Sequence, residues 1–391
     1  MKSPRRPLLS ATLAAGAAAA LSATLAFTTT ASAAASPARA ANPAAARAAN
    51  PAANPAAASR ACPPSATAVS FSDSLDKLVY NGVKLGGLSD LAYDPRSAAY
   101  VSSVDNNGTD PARIWFYRNL SDPKVIRNPL VLRKPDGTPY DGTNSDNEGL
   151  AVLPDGDYLV SSETEPSIRI YDRNTGIQKA SLPIPARFAV AGTTPAGQAT
   201  SNATLEGLTI ARDGREIVAS MEGALSGDVS ASGDATLHRF LVYNVGKHGT
   251  WQLTRQVAYR TDAGNRIPEV QAYGQHSLLV EEAAFSATAG NSVELYAVKD
   301  IDKAPDVSNV ANLSAAPAKD VVRKTLVANL VDCPTLGATS RETQTNPLLD
   351  NYEGMDVTSG GPGFATISLI SDDNFSATQF TRVLNLTAKL P

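Results

Sequence analysis

The 391 residues carry 34 basic and 38 acidic side chains, 43 % hydrophobic residues, two cysteines and three histidines. The first sixty positions hold six of the basic residues and no acid, so the remainder sets 28 positive against 38 negative charges, a net of about −10. That balance argues against nucleic acid and anionic membranes as partners, since both need a basic footprint, and it suits a protein that holds cations.

Lys2, Arg5 and Arg6 precede an Ala/Leu-rich apolar run that ends at Phe27, and Ala31 to Ala35 (A-S-A-A-A) offer small residues for cleavage. Residues 1–33 therefore read as a secretory signal peptide, and the Arg5-Arg6 pair is compatible with twin-arginine export. A secreted, extracellular protein is expected. Residues 34–60 are almost only Ala, Pro, Asn, Ser and Arg. They have nothing with which to build a core and read as a flexible linker or a processed pro-segment. The folded block is then 61–391, with no later apolar stretch of membrane-spanning length. Cys62 and Cys333 suit one disulfide in an exported protein, and closing so long a loop is worth roughly 4–5 kcal/mol by chain entropy.

Beyond residue 85, short β-branched runs alternate with Gly, Pro, Asp and Asn, the pattern of many short strands. One hairpin recurs. Its first copy, G-L-S-D-L-A-Y-D-P-R-S-A-A-Y-V-S-S-V-D, sets Ser89 or Asp90 against Asp105. The second, N-E-G-L-A-V-L-P-D-G-D-Y-L-V-S-S-E, places Glu148 and Glu163 equidistant from Asp155-Gly156. The third, L-E-G-L-T-I-A-R-D-G-R-E-I-V-A-S-M-E, sets Glu206 against Glu222 around Gly214. A looser fourth copy pairs Glu269 with Glu282, and N-Y-E-G-M-D-V opens a fifth that pairs Glu353 with Asp372. Residues equidistant from a tight turn face each other in an antiparallel hairpin, so two carboxylates should meet at the open end of most copies.

Further short strands follow the hairpins, such as R-I-W-F-Y at 113–117, S-I-R-I-Y at 167–171, L-H-R-F-L at 237–241 and V-E-L-Y-A at 293–297. A four-stranded unit repeated radially is a propeller blade. The expected fold is all-β, a β-propeller of four-stranded blades. Six blades are favoured because the last interval has room for an irregular one, and five or seven are also admitted. Residues 66–80 are expected to close the ring with a strand from the far terminus.

The first strand of each blade lines the central channel, so the hairpin acids should converge on one face. Two readings stand side by side. A Glu before a Gly in blade after blade can be structural, accepting backbone N–H groups that tie neighbours together. Alternatively, the acids surround a cation, because crowded carboxylates repel unless a positive charge is present. Oxygen ligands with no His or Cys among them select calcium or magnesium. The expected ligands at the hairpin ends are Asp105, Glu148, Glu206, Glu222, Glu282, Glu353 and Asp372, around calcium or magnesium. D-N-N-G-T-D at 105–110 and D-G-T-N-S-D-N-E at 141–148 have the oxygen-rich character of calcium loops. The sequence has no G-x-S-x-G elbow and no zinc-spaced Cys/His cluster. His238, His248 and His276 lie away from the recurring ends, which disfavours a Ser-His-Asp hydrolase.

The motifs S-D-L-A-Y-D-P, N-E-G-L-A-V-L-P-D-G, L-E-G-L-T-I-A-R-D-G, S-M-E-G-A-L, L-L-V-E-E-A-A-F, N-Y-E-G-M-D-V and L-I-S-D-D-N-F occur in this order. In that order they resemble the phytase-like family known by its "esterase-like activity of phytase", over roughly 85–388. The resemblance implies a β-propeller and an exported hydrolase of phosphate esters, calcium-dependent by analogy with propeller phytases. It places Glu148, Glu206, Glu222, Glu353, Asp372 and Asp373 on the motif carboxylates. The chain departs from the pattern at Ser89-Asp90 in the first hairpin and at Pro268-Glu269-Val270 in the fourth. On this reading a monomer acts on a small anionic phosphate ester, with Glu163 as base and Arg113 or Arg239 steadying the substrate. Two alternatives stay open. One is a calcium-dependent lactonase or carboxylic esterase, with Asn106, Asn147 and Asn374 available to a mixed ligand shell. The other is a non-catalytic, metal-stabilised extracellular binding propeller.

Overall fold

A computed structural model describes residues 60–105, 108–192, 197–361 and 363–391. The expected signal peptide and nearly all of the Ala/Pro-rich stretch lie outside the described residues, as does Asn106. Besides a two-stranded pairing of Val79–Tyr80 with Val83–Lys84, five larger antiparallel sheets follow one another along the chain. Blade 1 runs through Leu88–Asp94, Ala99–Val104, Arg113–Arg118 and Lys124–Val125, and blade 2 through Asn147–Val152, Tyr158–Ser162, Ser167–Tyr171 and Gln178–Ser181. Blade 3 comprises Leu205–Ala211, Glu216–Met221, Leu237–Val245 and Trp251–Arg260, and blade 4 Arg266–Tyr273, Ser277–Ser286, Gly290–Val298 and Lys324–Asn329. Blade 5 takes Tyr352–Gly361, Phe364–Ser371 and Val383–Lys389 from the end of the chain and Ala66–Ser72 from its beginning.

The first strands of the blades pack on one another in a closed ring, with blade 5 returning to blade 1. Each interface has its own apolar core. Val101 and Phe116 meet Leu150 and Val160 between blades 1 and 2, and Leu159 and Ile168 meet Leu208 and Ile217 between blades 2 and 3. The same holds for Val218 and Phe240 against Val270 and Val280, for Leu279 and Leu295 against Met355 and Leu369, and for Leu91 and Trp115 against Ile370 and Val383. Among the described residues there is no α-helix, and no helix long and apolar enough to cross a membrane.

The blade count is therefore five, within the expected range but one short of the favoured number. The long stretch from the third strand of blade 4 to blade 5 is occupied by short 3-10 turns at Ile301–Lys303, Leu313–Ala315, Ala318–Asp320 and Leu330–Asp332 and by the outer strand of blade 4. Among its described residues the only strand is Lys324–Asn329, which completes blade 4 and leaves none for a sixth sheet. Ring closure by the amino-terminal strand is as expected. The Cys62–Cys333 disulfide joins that terminus to the segment after blade 4, spanning 271 positions of sequence.

The recurring hairpin has a local cause. In every blade the pairing of the first two strands shifts register early in the first strand, a β-bulge. In blades 2, 3 and 5 the bulge falls at the Glu-Gly dipeptide. Neighbouring first strands touch backbone to backbone there: a Cβ on Gly149 would lie 2.4 Å from the Glu206 carbonyl oxygen, and one on Gly207 would lie 2.5 Å from the Val270 nitrogen. Only glycine fits. The residue before it is left to face the channel mouth.

Candidate functional site

At the open ends of the hairpins lies a cavity of about 260 Å³ lined by Asp105, Glu148, Glu163, Asn202, Glu206, Glu222, Arg266, Glu353, Asp372 and Asn374. Every lining side chain is polar. Seven are carboxylates and one, Arg266, is a cation.

Two registers of the hairpin build this bowl. At the Glu-Gly position stand Glu148, Glu206 and Glu353 in blades 2, 3 and 5, with Ser89 in blade 1. At the exit of the second strand stand Asp105, Glu163, Glu222 and Asp372, whose backbone N–H groups donate to the carbonyls of Gly87, Asp146, Thr204 and Asn351. Blade 4 breaks both registers. Its pairing sets Glu269 against Glu281 and Arg266 against Ala283, so Pro268 and Ala283 hold the positions that are acidic elsewhere. The expected pairing of Glu269 with Glu282 is thus corrected by one position, because the turn is centred on Gln275, with Tyr273 opposite Ser277, so that Glu281 faces Glu269. What blade 4 sends into the bowl is Arg266, at the position held by Asp146, Thr204 and Asn351 in the other blades.

The Arg266 guanidinium lies 2.9 Å from Glu222 Oε1 and 2.9 Å from Glu353 Oε1, and 3.6 Å from Glu206 Oε1. It also donates to Asn351 Oδ1 at 2.8 Å. Burial opposes its charge, but Glu353, Glu222 and Glu206 outweigh burial and hold it protonated above its ordinary range. On the opposite side, Asp146 and Glu148 form no ion pair among the described residues. One carboxylate oxygen from each of Asp105, Asp146 and Glu148 lies within 4.8 Å of the others, and the same is true of Glu148, Glu163 and Glu206. Glu206 Oε2 and Asp146 Oδ1 are buried with no hydrogen-bond partner. Burial, and then the neighbouring acids, push the carboxyls of Asp105, Glu148, Glu206 and Asp372 well above the ordinary carboxylate range. Burial and Glu222 raise Glu163 to about 8. Without a cation, Glu163 is mostly protonated at neutral pH.

Of the expected ligands, the structure brings together Asp105, Glu148, Glu206, Glu222, Glu353 and Asp372, with the expected base Glu163 among them. Asp373 does not line the bowl: it pairs with Lys77 and accepts the Gly87 N–H. Glu282 does not either. It accepts from the Tyr259 hydroxyl at 2.6 Å and pairs with Lys324 at 2.5 Å, in a separate cluster with Asp262 and Glu294. Neither expected arginine lines the cavity. Arg239 forms a buried two-pronged pair with Asp228, at 2.6 and 2.8 Å, and holds the Val307 and Val310 carbonyls of the long segment between the third and outer strands of blade 4. Arg113 pairs with Asp110 at 3.1 Å. Asn374 lines the bowl, whereas the Asn147 side chain is engaged by Ser145 and the Val104 carbonyl.

The tie between blades that a structural Glu would make is supplied by other residues. Asp90 and Glu269 occupy the glycine positions of the bulges in blades 1 and 4. Asp90 accepts the N–H groups of Leu91 and Leu150, and Glu269 accepts those of Leu208 and Val270. Burial above all raises Asp90 to about 7, and burial followed by the charge of Asp90 raises Glu269 well above the ordinary carboxylate range. Ser103 and Ser161 add hydroxyl bonds to the carbonyls of Glu148 and Glu206 in the next blade. Sequence reasoning passed over Asp146, the role of Arg266 and the Asp90–Glu269 pair. The offset two residues before each Glu-Gly step was the available signal for the first two.

Fold and site together define a five-bladed propeller with a carboxylate bowl at one mouth of its channel. The chain belongs to the phytase-like family described as "esterase-like activity of phytase", which matches residues 83–375. No curated protein matches it significantly. Similar solved structures include a gluconolactonase from Xanthomonas campestris, 11 % identical over 87 % of this chain and 94 % of that one with a TM-score of 0.37. Another is a periplasmic gluconolactonase from Pseudomonas aeruginosa, 12 % identical over 78 % and 86 % of the two chains with a TM-score of 0.35. The PQQ-bound aldose sugar dehydrogenase from Streptomyces coelicolor is 12 % identical over 78 % and 84 %, with a TM-score of 0.34.

Proposed function

We propose that the protein is a secreted, calcium-dependent phosphoesterase of the phytase kind, working as a monomer on a small anionic phosphate ester. The observation that carries this reading is the bowl itself: seven buried or half-buried carboxylates, one arginine and no apolar lining residue. A lactone or a carboxylic ester calls for apolar surface beside its few polar contacts. An anionic ester, by contrast, is repelled by such a bowl until cations have offset its charge.

The donor set fits a hard divalent ion, since every ligand on the unneutralised side is a carboxylate oxygen and none is nitrogen or sulfur. Asp105, Asp146, Glu148 and Glu206 are the residues that would hold it. Bound there, calcium would neutralise phosphate charge and acidify a coordinated water. Glu163 shares that side of the bowl and is the proposed base. Its Oε1 accepts the Thr204 N–H at 2.5 Å, which fixes the carboxyl while Oε2 is available to take a proton from the attacking water. The disulfide supports an oxidising, extracellular setting.

The test is phosphate release from phytate and from an aryl phosphate by the chelator-stripped protein as calcium is restored, with an aryl ester and a lactone run in parallel. Calcium-dependent phosphate release that disappears in Glu206→Gln supports the reading. Lactone or aryl-ester turnover without phosphate release would replace it, and tight calcium binding with no turnover would leave a binding propeller.

A further inference from the structure

The bowl is divided, and the division follows blade 4. Four blades place an acid at the exit of the second strand, and three of them add a Glu at the bulge. Blade 4 places Pro268 and Ala283 at those positions and extends Arg266 instead. The guanidinium meets Glu222, Glu353 and Asn351 at 2.8–2.9 Å and leans toward Glu206 Oε1 at 3.6 Å. At this distance three carboxylates surround one fixed positive charge, much as they would surround a metal ion. On the other side, Asp146, Glu148, Glu163 and the far oxygen of Glu206 form no ion pair among the described residues. Two of its oxygens, Asp146 Oδ1 and Glu206 Oε2, sit on side chains more than nine-tenths buried and have no partner.

We infer that Arg266 is a resident cation standing in for a divalent ion: it occupies the Glu222–Glu353 side of the bowl, confines divalent binding to the Glu148 side, and leaves Glu222 and Glu353 outside the ligand set. This rests on the metal reading of the bowl proposed above. The rival role, an arginine that anchors the anionic substrate, fits the geometry less well. Three of its five N–H donors are committed to Glu222, Glu353 and Asn351, so no two-pronged face is free for a phosphate. A fixed guanidinium also supplies positive charge without the exchange and dehydration that a second bound ion undergoes.

The experiment is calorimetric titration of the full chain with calcium alone, comparing wild type, Arg266→Gln, Arg266→Lys, Glu222→Gln and Glu148→Gln. With the charge removed, R266Q is expected to bind one more calcium equivalent than wild type, while R266K keeps the wild-type number. E222Q should bind calcium within about twofold of wild type, whereas E148Q should lose at least about tenfold in affinity. A folded R266Q with the wild-type stoichiometry overturns the inference, as does an E222Q that weakens binding as much as E148Q. The E222Q and E148Q pair decides the matter even where R266Q does not fold. If wild type binds no calcium and R266Q binds one, the metal-dependent function falls while the resident-cation assignment stands. If neither binds, both fall.

Discussion

Two groups of acids converge in this propeller, and they differ in how their oxygens are used. In the Asp262–Glu282–Glu294 cluster every carboxylate oxygen has a donor. Glu282 takes Tyr259 and Lys324 on one oxygen and the Asp262 N–H and Asn265 on the other. Asp262 takes Lys324 and Tyr296, and Glu294 takes Asn265 and Asn329. In the bowl, Asp146 and Glu206 each keep a buried oxygen with no donor at all. Residue type and proximity are alike in the two places. What separates a finished ion-pair network from a candidate cation site is the supply of donors.

The largest expected effect lies on the finished side of that contrast. Lys324→Met leaves the fully buried Glu282 without its cation and should destabilise the protein by about 3–5 kcal/mol in urea unfolding. A loss under about 1 kcal/mol would mean the two clusters are less different than their partners indicate. Next comes calcium itself. At a concentration about 100-fold above its dissociation constant it should stabilise the wild type by about 2.7 kcal/mol. Glu148→Gln should abolish that gain and Glu294→Gln should leave it intact, as followed by thermal unfolding with and without chelator.

Calcium affinity is expected to rise with pH, because protons and the ion compete for carboxyls whose burial and neighbours raise them. For each displaced proton the gain is up to about tenfold per pH unit, flattening above about 8, where Glu163 has lost its proton. Titrations that give one affinity from pH 6 to 9 would show that the bowl acids are already ionised without the metal. The smallest effect concerns Asp90, raised by burial to about 7 from an ordinary 3.8. A raised carboxyl favours the folded state on the acid side: its contribution is complete below about pH 4 and lost as pH rises through about 7. Asp90→Asn should therefore flatten part of the fall in melting temperature between pH 5 and 8, a difference of about 1 kcal/mol.

Much of the bowl was legible before any coordinates. The strand–turn–strand repeat and its Glu-Gly step identify Glu148, Glu206 and Glu353, and counting across the turns reaches Glu163, Glu222 and Asp372. The same counting misplaces blade 4, where Glu269 and Glu282 look like a fourth acidic pair. There Glu269 faces Glu281 and stands at the glycine place of the bulge, and the equivalent positions are Pro268 and Ala283. In the sequence Arg239 looks like a cation that could steady a substrate, yet Asp228 and the carbonyls of Val307 and Val310 claim it.

From sequence alone came the all-β class, the repeated hairpin and the gathering of acids at one end, because strand periodicity, turn residues and equal spacing act over a few residues at a time. The number of blades, the entry of Arg266 and the inventory of partnered and orphaned oxygens required the tertiary structure. Those depend on donors brought in from other blades, often sixty or more positions along the chain, and on backbone contact so close that only glycine admits it. A carboxylate's charge state and occupancy are set by what stands within a few ångströms of it, and local sequence does not record that neighbourhood.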